Sequence, residues 1–141
     1  MINVANYVGI PWKHLGRNKK GIDCYGLAML VYKEELNIKL PDYTYPVYEK
    51  EQVAFTPESF PIMNCLSSVE TSSMQEYDIL WLRVPWKAIV NHVGIYAGDG
   101  YFLEVNDPAG CILTKLKRRI DIIHQAFRVN QKALENLNES S

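Results

Sequence analysis

From residue 78 to residue 129 the chain is a run of five short apolar segments: 79–84, 91–97, 101–106, 111–116 and 124–129. Turn-forming residues separate the earlier ones, at Pro85-Trp86, Gly98-Asp99-Gly100 and Asp107-Pro108-Ala109-Gly110. Short segments rich in β-branched and aromatic residues, bounded in this way, read as an antiparallel meander of about five strands. Upstream the periodicity is different. Between 24 and 37, Leu27, Leu30, Val31 and Leu36 recur at helical spacing, with Lys33, Glu34 and Glu35 on a polar face. Asp23 is placed to cap this helix, which ends at Asn37 ahead of Pro41. Helix first and sheet after predict an α+β fold with segregated layers. At 141 residues the chain fits one domain, 1–141.

The other stretches are less regular. Residues 1–9 suit a turn or two of helix, broken by Gly9-Ile10-Pro11, and residues 13–21 read as a polar loop bounded by glycines. Residues 41–76, with Pro41, Pro46, Pro57 and Pro61, read as an irregular insertion with a short helix near 49–55. Residues 130–141 are polar and are expected to fray.

Charge narrows the function. Fifteen Lys and Arg against sixteen Asp and Glu give a net charge of −1. Nucleic-acid binding and attachment to anionic membranes both need a basic excess, so neither is expected. The longest apolar runs, such as Ile79-Leu80-Trp81-Leu82, fall far short of the roughly 18 residues that insert into a bilayer. No basic residue precedes Lys13 and no long apolar run opens the chain, so a secretory leader is not expected and residence in a cytoplasm is. Cys24, Cys65 and Cys111 are too few and scattered for a disulfide framework. No Cys-x-x-Cys pair occurs, and His14, His92 and His124 have no ligand spacing to a cysteine. No metal and no cofactor are expected, and the special role left for a cysteine is nucleophilic.

Cys24 has the address for it. It opens the predicted helix, where free N–H groups and the positive end of the helix dipole favour a thiolate and could receive an oxyanion. A buried cysteine at a helix start is the ordinary alternative, and position alone leaves both open. A thiolate mechanism needs a histidine as acid and base. His92 opens a predicted strand, sharing a face with Gly94 and Tyr96, and the glycine is expected to clear space beside the imidazole. With Gly98-Asp99-Gly100 as the hairpin loop, Ala97 faces Tyr101, Gly94 faces Glu104 and His92 faces Asn106. Either Glu104 or Asn106 could then orient the imidazole.

These blocks carry a resemblance. Gly9-Ile10-Pro11-Trp12, Gly21-Ile22-Asp23-Cys24-Tyr25-Gly26-Leu27, Tyr77-Asp78-Ile79-Leu80 and Asn91-His92-Val93-Gly94-Ile95-Tyr96-Ala97-Gly98-Asp99-Gly100 resemble the NlpC/P60 family of papain-like cysteine peptidases in order and spacing. Tyr25 and the run from Leu27 to Pro41 are most similar to its bacteriophage tail branch, which includes tail tip assembly proteins. The resemblance implies N-terminal helices packed on a central antiparallel sheet. It implies Cys24 as nucleophile, His92 as its acid–base partner and Glu104 in the third position, where histidine is common. It implies a substrate groove lined by Trp12, Asp23, Tyr25 and Gly94, with Trp12 replacing a tyrosine and Tyr25 replacing the serine of cell-wall hydrolases. The implied activity is hydrolysis of amide bonds in peptidoglycan stem peptides. The implied partners are that peptide and phage tail proteins, in the host cytoplasm during assembly or in the virion tail. A structural tail protein with little or no activity is the alternative reading.

Overall fold

The computed structural model describes residues 2–43, 60–83 and 90–139. The expected helix at 49–55 and the Pro85-Trp86 turn lie outside them. The element order is a 3₁₀ turn at Val4–Asn6, β1 (Arg17–Asn18), β2 (Gly21–Ile22), α1 (Cys24–Leu36), β3 (Leu66–Val69), β4 (Ile79–Arg83), β5 (Val90–Gly98), β6 (Tyr101–Asn106), β7 (Gly110–Lys115), β8 (Ile123–Val129) and α2 (Gln131–Glu139). Further 3₁₀ turns lie between the later elements.

Helix α1 forms where the spacing places it. The Asp23 carboxylate accepts the Gly26 N–H at 2.8 Å, which satisfies one of the orphan donors of the first turn. At the other end Asn37 turns left-handed, with φ of 53°, and the Ile38 N–H closes onto the Tyr32 carbonyl. The helix buries Tyr25, Leu27, Ala28, Leu30, Val31 and Tyr32, far more than one stripe. It is therefore a central element of the core rather than a surface helix. Burying each large apolar side chain contributes on the order of 1.5–3 kcal/mol.

The main sheet has six strands in the order β3-β8-β4-β5-β6-β7, every neighbouring pair antiparallel. It confirms the α+β class and corrects the strand count. The sixth strand, β3, lies in the stretch expected to be irregular and forms one edge of the sheet. The chain is also not a simple meander, because β8 returns to fill the place between β3 and β4. One face of the sheet contributes Ile79, Trp81, Val93, Ile95, Leu103 and Val105 to the core that includes α1. The other contributes Leu80, Leu82, Phe102 and Ala126 to a smaller cluster, closed by Ile122 and Leu116.

Two further expectations are corrected. The stretch 13–21, read as a loop, holds β1 and, with Ile22, closes the hairpin β1–β2, with Arg17 opposite Ile22 and Asn18 opposite Gly21. Residues 131–139 do not fray: they form α2, whose Leu134 is buried against the core and whose start is fixed by the Asn130 side chain accepting the Ala133 N–H. Leu134, with Ala133 and Leu137 packed beside it, outweighs a polar composition.

The β5–β6 hairpin reaches the expected register by a different route. Its loop is the pair Asp99-Gly100, with φ of 54° and 81°, the two left-handed residues that a tight two-residue hairpin requires. Gly98, not Ala97, faces Tyr101, and a bulge between Tyr96 and Gly98 adds one residue to β5. The shorter loop and the bulge compensate, so Gly94 still faces Glu104.

Candidate active site

The site is assembled where the N-terminal end of α1 meets the start of β5. The strands ahead of the helix are folded onto its first turn. The Ile22 N–H donates to the Pro11 carbonyl and the Lys13 N–H to the Ile22 carbonyl, so the backbone of Trp12 runs beside Ile22, two residues ahead of Cys24. Gly26 permits the fit. A Cβ there would stand 2.1 Å from the Gly16 carbonyl oxygen, so a larger residue would push the hairpin off the helix start. Arg17 then locks the junction: its guanidinium donates to Asp23 at 2.7 Å, to the Gly16 and Tyr43 carbonyls and to Asp42.

Cys24 is the first residue of α1 and is half-buried, whereas Cys65 and Cys111 are buried. Its side chain is hydrogen-bonded to His92. The His92 Nε2 lies 3.0 Å from the Glu104 Oε1, which leaves Nδ1 as the ring nitrogen for the sulfur. Glu104 is fully buried, and its other oxygen accepts the Thr114 hydroxyl at 2.6 Å. The Arg119 Nη2 stands 3.6 Å from Oε1. Cysteine, imidazole and carboxylate thus form one hydrogen-bonded chain.

The electrostatics follow from this chain. Burial alone would pull the imidazole down, but the hydrogen bonds that the protonated ring makes to Cys24 and Glu104, with the charges of both, outweigh it and raise His92 from 6.5 to about 9. For Glu104, burial pushes the carboxyl up. The His92 and Thr114 hydrogen bonds and the His92 and Arg119 charges overcome that and hold it below the usual range. Burial raises the Cys65 thiol. Burial and the Glu104 charge raise Cys111 to about 12. A cysteine hydrogen-bonded to a protonated imidazole, at a helix N-terminus with spare N–H groups, can attack a carbonyl carbon and steady the resulting oxyanion.

The structure separates the expected site residues. Cys24, His92 and Glu104 come together. Asn106 does not share a rung with His92: the β5–β6 ladder ends at Gly94–Glu104, and Asn106 pairs with Gly110 on β7. Trp12 is half-buried, packed against the main core beside the helix start. Asp23 is buried and committed to the helix cap and to Arg17, so it does not line a groove. Tyr25 is corrected most clearly. Its ring is 1% exposed and packs on Tyr43 and Phe60, and its hydroxyl donates to the Pro41 carbonyl at 2.6 Å. It is a core residue that ties α1 to the chain after it. Gly94 does not open free space either, since a Cβ there would meet the Phe102 ring at 2.8 Å. The glycine lets Phe102 fold across β5.

Thr114 and Arg119 were missed by sequence reasoning. Glu104 faces Ile112, which puts Thr114 one diagonal step away on the same face. That position follows once the β6–β7 register is worked out. Arg119 lies beyond the strand, between two 3₁₀ turns, and carried no local signal.

A profile of the NlpC/P60 family matches residues 9–121. The chain belongs to the NlpC/P60 family. Among curated relatives, it is 27% identical over 116 residues to the murein DD-endopeptidase MepS/murein LD-carboxypeptidase of Escherichia coli K12, covering 82% of this chain and 53% of that protein. It is 25% identical over 105 residues to the murein DD-endopeptidase MepH of the same organism, covering 74% of this chain and 34% of that protein. The chain thus spans about half the length of MepS and about a third of that of MepH. Among solved structures, the NlpC/p60 domain of the peptidoglycan hydrolase SagA superposes with a TM-score of 0.61 at 20% identity, covering 91% of this chain and 97% of that one. RipD of Mycobacterium tuberculosis, described as a non-catalytic NlpC/p60 domain protein, superposes with a TM-score of 0.57 at 17% identity, covering 89% and 92%. These two likenesses show the fold. No helix among the described residues is long and apolar enough to cross a membrane. No group of three or more His, Cys, Asp or Glu among them is placed to hold a metal ion.

Proposed function

We propose that this chain is a cysteine peptidase that hydrolyses amide bonds in peptidoglycan stem peptides. The hydrogen-bonded chain Cys24–His92–Glu104 at a helix start carries the reading. The relatives named as murein endopeptidases supply the substrate class. In this mechanism the Cys24 sulfur attacks the amide carbonyl, and the N–H groups at the start of α1 receive the oxyanion. His92, protonated by the Cys24 proton, passes it to the leaving amine as the C–N bond breaks. Water then attacks the thioester with neutral His92 as base, releasing the acid and restoring the thiol. Glu104 fixes the ring orientation and stabilises the imidazolium.

The place of action that we propose is a bacteriophage tail, with the protein in the host cytoplasm during assembly or in the tail itself. Tyr25 within the Asp-Cys-Tyr-Gly-Leu block and the sequence from Leu27 to Pro41 support this. Both proposals are open to direct test. Purified protein is incubated with muropeptides under reducing conditions across neutral pH, and products are read by mass spectrometry. Cleavage that Cys24→Ala abolishes is expected. No product from the wild type overturns the peptidase reading and leaves the assembly role. Co-purification with tail particles, or its absence, decides the location.

A further inference from the structure

Glu104 brings a charge problem to this site, and the structure contains its answer. In the reactive state a Cys24 thiolate and a His92 imidazolium neutralise each other. Glu104, fully buried and hydrogen-bonded to that imidazolium, adds a net negative charge away from water. An uncompensated buried charge is strongly unfavourable. We infer that Arg119 is a positioning residue that supplies the missing positive charge and acts on the Cys24–His92 pair through Glu104. The inference rests on the peptidase reading only where it concerns turnover.

Three observations carry it. First, the two carboxylate oxygens are divided: Oε2 takes the Thr114 hydroxyl, while Oε1 is shared by His92 at 3.0 Å and Arg119 at 3.6 Å. The guanidinium therefore bears on the same oxygen that holds the imidazole. Second, the Arg119 Nε is buried with no hydrogen-bond partner among the described residues. Leaving a buried donor unpaired costs stability, so a hydrogen-bond network does not explain the side chain's place. The ion pair with Glu104 does. Third, the backbone fixes the residue there. The Arg119 N–H donates to the Leu116 carbonyl and its carbonyl accepts the Ile122 N–H, while Ile122 and Leu116 are packed in the smaller apolar cluster.

The groups facing Glu104 are few. Among the described residues they are His92 on β5, Thr114 on β7 and Arg119 beyond it, with Cys24 of α1 on the far side of the imidazole and the Cys111 thiol, on the other face of the sheet, feeling the carboxylate charge. Cys111 is an uncharged thiol at neutral pH. Arg119 is thus the group that balances the carboxylate. Its pull on the shared Oε1 weakens that oxygen's hold on the imidazolium, which limits how far Glu104 raises His92. Removing it should raise His92 further and shrink the neutral fraction that deacylation requires.

The test is a titration of the His92 Cε1–H resonance in the full chain, assigned with His92→Asn. Arg119→Met keeps the apolar stem and removes the charge, and Arg119→Gln gives a second neutral variant. Both should move the His92 midpoint up by about one pH unit, and Arg119→Lys should restore it. In a Glu104→Gln background Arg119→Met should leave the midpoint in place. With a cleavable muropeptide, Arg119→Met should lower kcat near pH 7 by about tenfold, with recovery at higher pH. A midpoint unmoved in Arg119→Met and Arg119→Gln, or moved equally in the Glu104→Gln background, overturns the inference. If no muropeptide is cleaved, the titration still decides it, and that failure falls on the peptidase reading alone.

Discussion

Glu104→Gln is the sharpest perturbation of the site, because glutamine keeps the shape and the acceptor for His92 while removing the charge. His92 stands at about 9 rather than 6.5 although burial works against it. Two partners sustain that rise, Cys24 and Glu104, with the Cys24 hydrogen bond the larger. A neighbouring opposite charge at this range is worth roughly one to three pH units, so loss of the Glu104 charge should lower the His92 midpoint by about one to two. At pH 7.5 the imidazolium then falls from about thirty-to-one over the neutral ring to near parity.

The same change has a stability signature. A raised imidazole supports the folded state fully below about 6.5, and that support is lost as the pH rises through about 9. For His92 this amounts to about 3 kcal/mol between pH 6 and pH 9.5. Glu104, held low, works in the opposite sense: its support is present above its ordinary 4.5 and is lost as the pH falls through its lowered value. Urea unfolding at pH 6 and pH 9.5, with a His92 titration by NMR, checks the His92 contribution, and unfolding followed from pH 5 downward checks that of Glu104. Wild type should lose most of that stability between the two pH values, and Glu104→Gln should lose about half as much. An unchanged His92 midpoint in Glu104→Gln, or the same displacement produced by Asn106→Ala, refutes Glu104 as the orienting group.

Three other outcomes are expected. Iodoacetamide should label Cys24 before Cys65 or Cys111 in the native protein, read by peptide mass spectrometry, since burial raises the latter two thiols. Tyr25→Ser should not open a groove but destabilise the fold by about 3–5 kcal/mol, read by chemical denaturation, because it empties a core position and removes the bond to Pro41. Leu134→Ala should cost about 2–4 kcal/mol by the same measurement and expose α2 to proteolysis, which a frayed tail would not register.

The parts of the fold that were legible are those specified locally. Helix α1 has its cap, its apolar spacing and its left-handed end within residues 23–37. The meander β4 to β7 is written in alternating segments and turn residues. Cys24 and His92 were open candidates on position alone, and the blocks around them, Asp23-Cys24-Tyr25-Gly26-Leu27 and His92-Val93-Gly94-Ile95-Tyr96, brought them forward through their resemblance to the family. What was missed depends on distant partners. β3, with the sequence Leu-Ser-Ser-Val, is held by its pairing with β8, some sixty residues on. α2 has a polar composition and exists because Leu134 finds the core. Tyr25 reads as a groove residue from its neighbour Cys24, but helical geometry turns successive side chains about 100° apart, and Tyr43 and Phe60 wait on the inner side. Arg119 becomes visible only when β7 and the turns after it are folded back toward Glu104.

A carboxylate in the third position alters the balance between the two halves of the proposed reaction. In acylation the thiolate and imidazolium are both present, and Glu104 favours that state, so the nucleophile and the proton for the leaving amine are ready together. In the thioester the sulfur no longer carries charge, and one of the two supports of His92 is gone. Glu104 remains and still favours the protonated ring, whereas deacylation needs the ring neutral to take a proton from water. A neutral asparagine there would orient the ring without this bias. Turnover in the proposed peptidase should therefore be limited by deacylation at neutral pH and should climb toward the alkaline side. In Glu104→Gln that rise should come at lower pH while acylation slows. Burst kinetics with a chromogenic thiol-reactive amide substrate separate the two steps. A burst in wild type that shrinks in Glu104→Gln is the expected result, and equal loss of both steps would mean that Glu104 serves only to hold the ring.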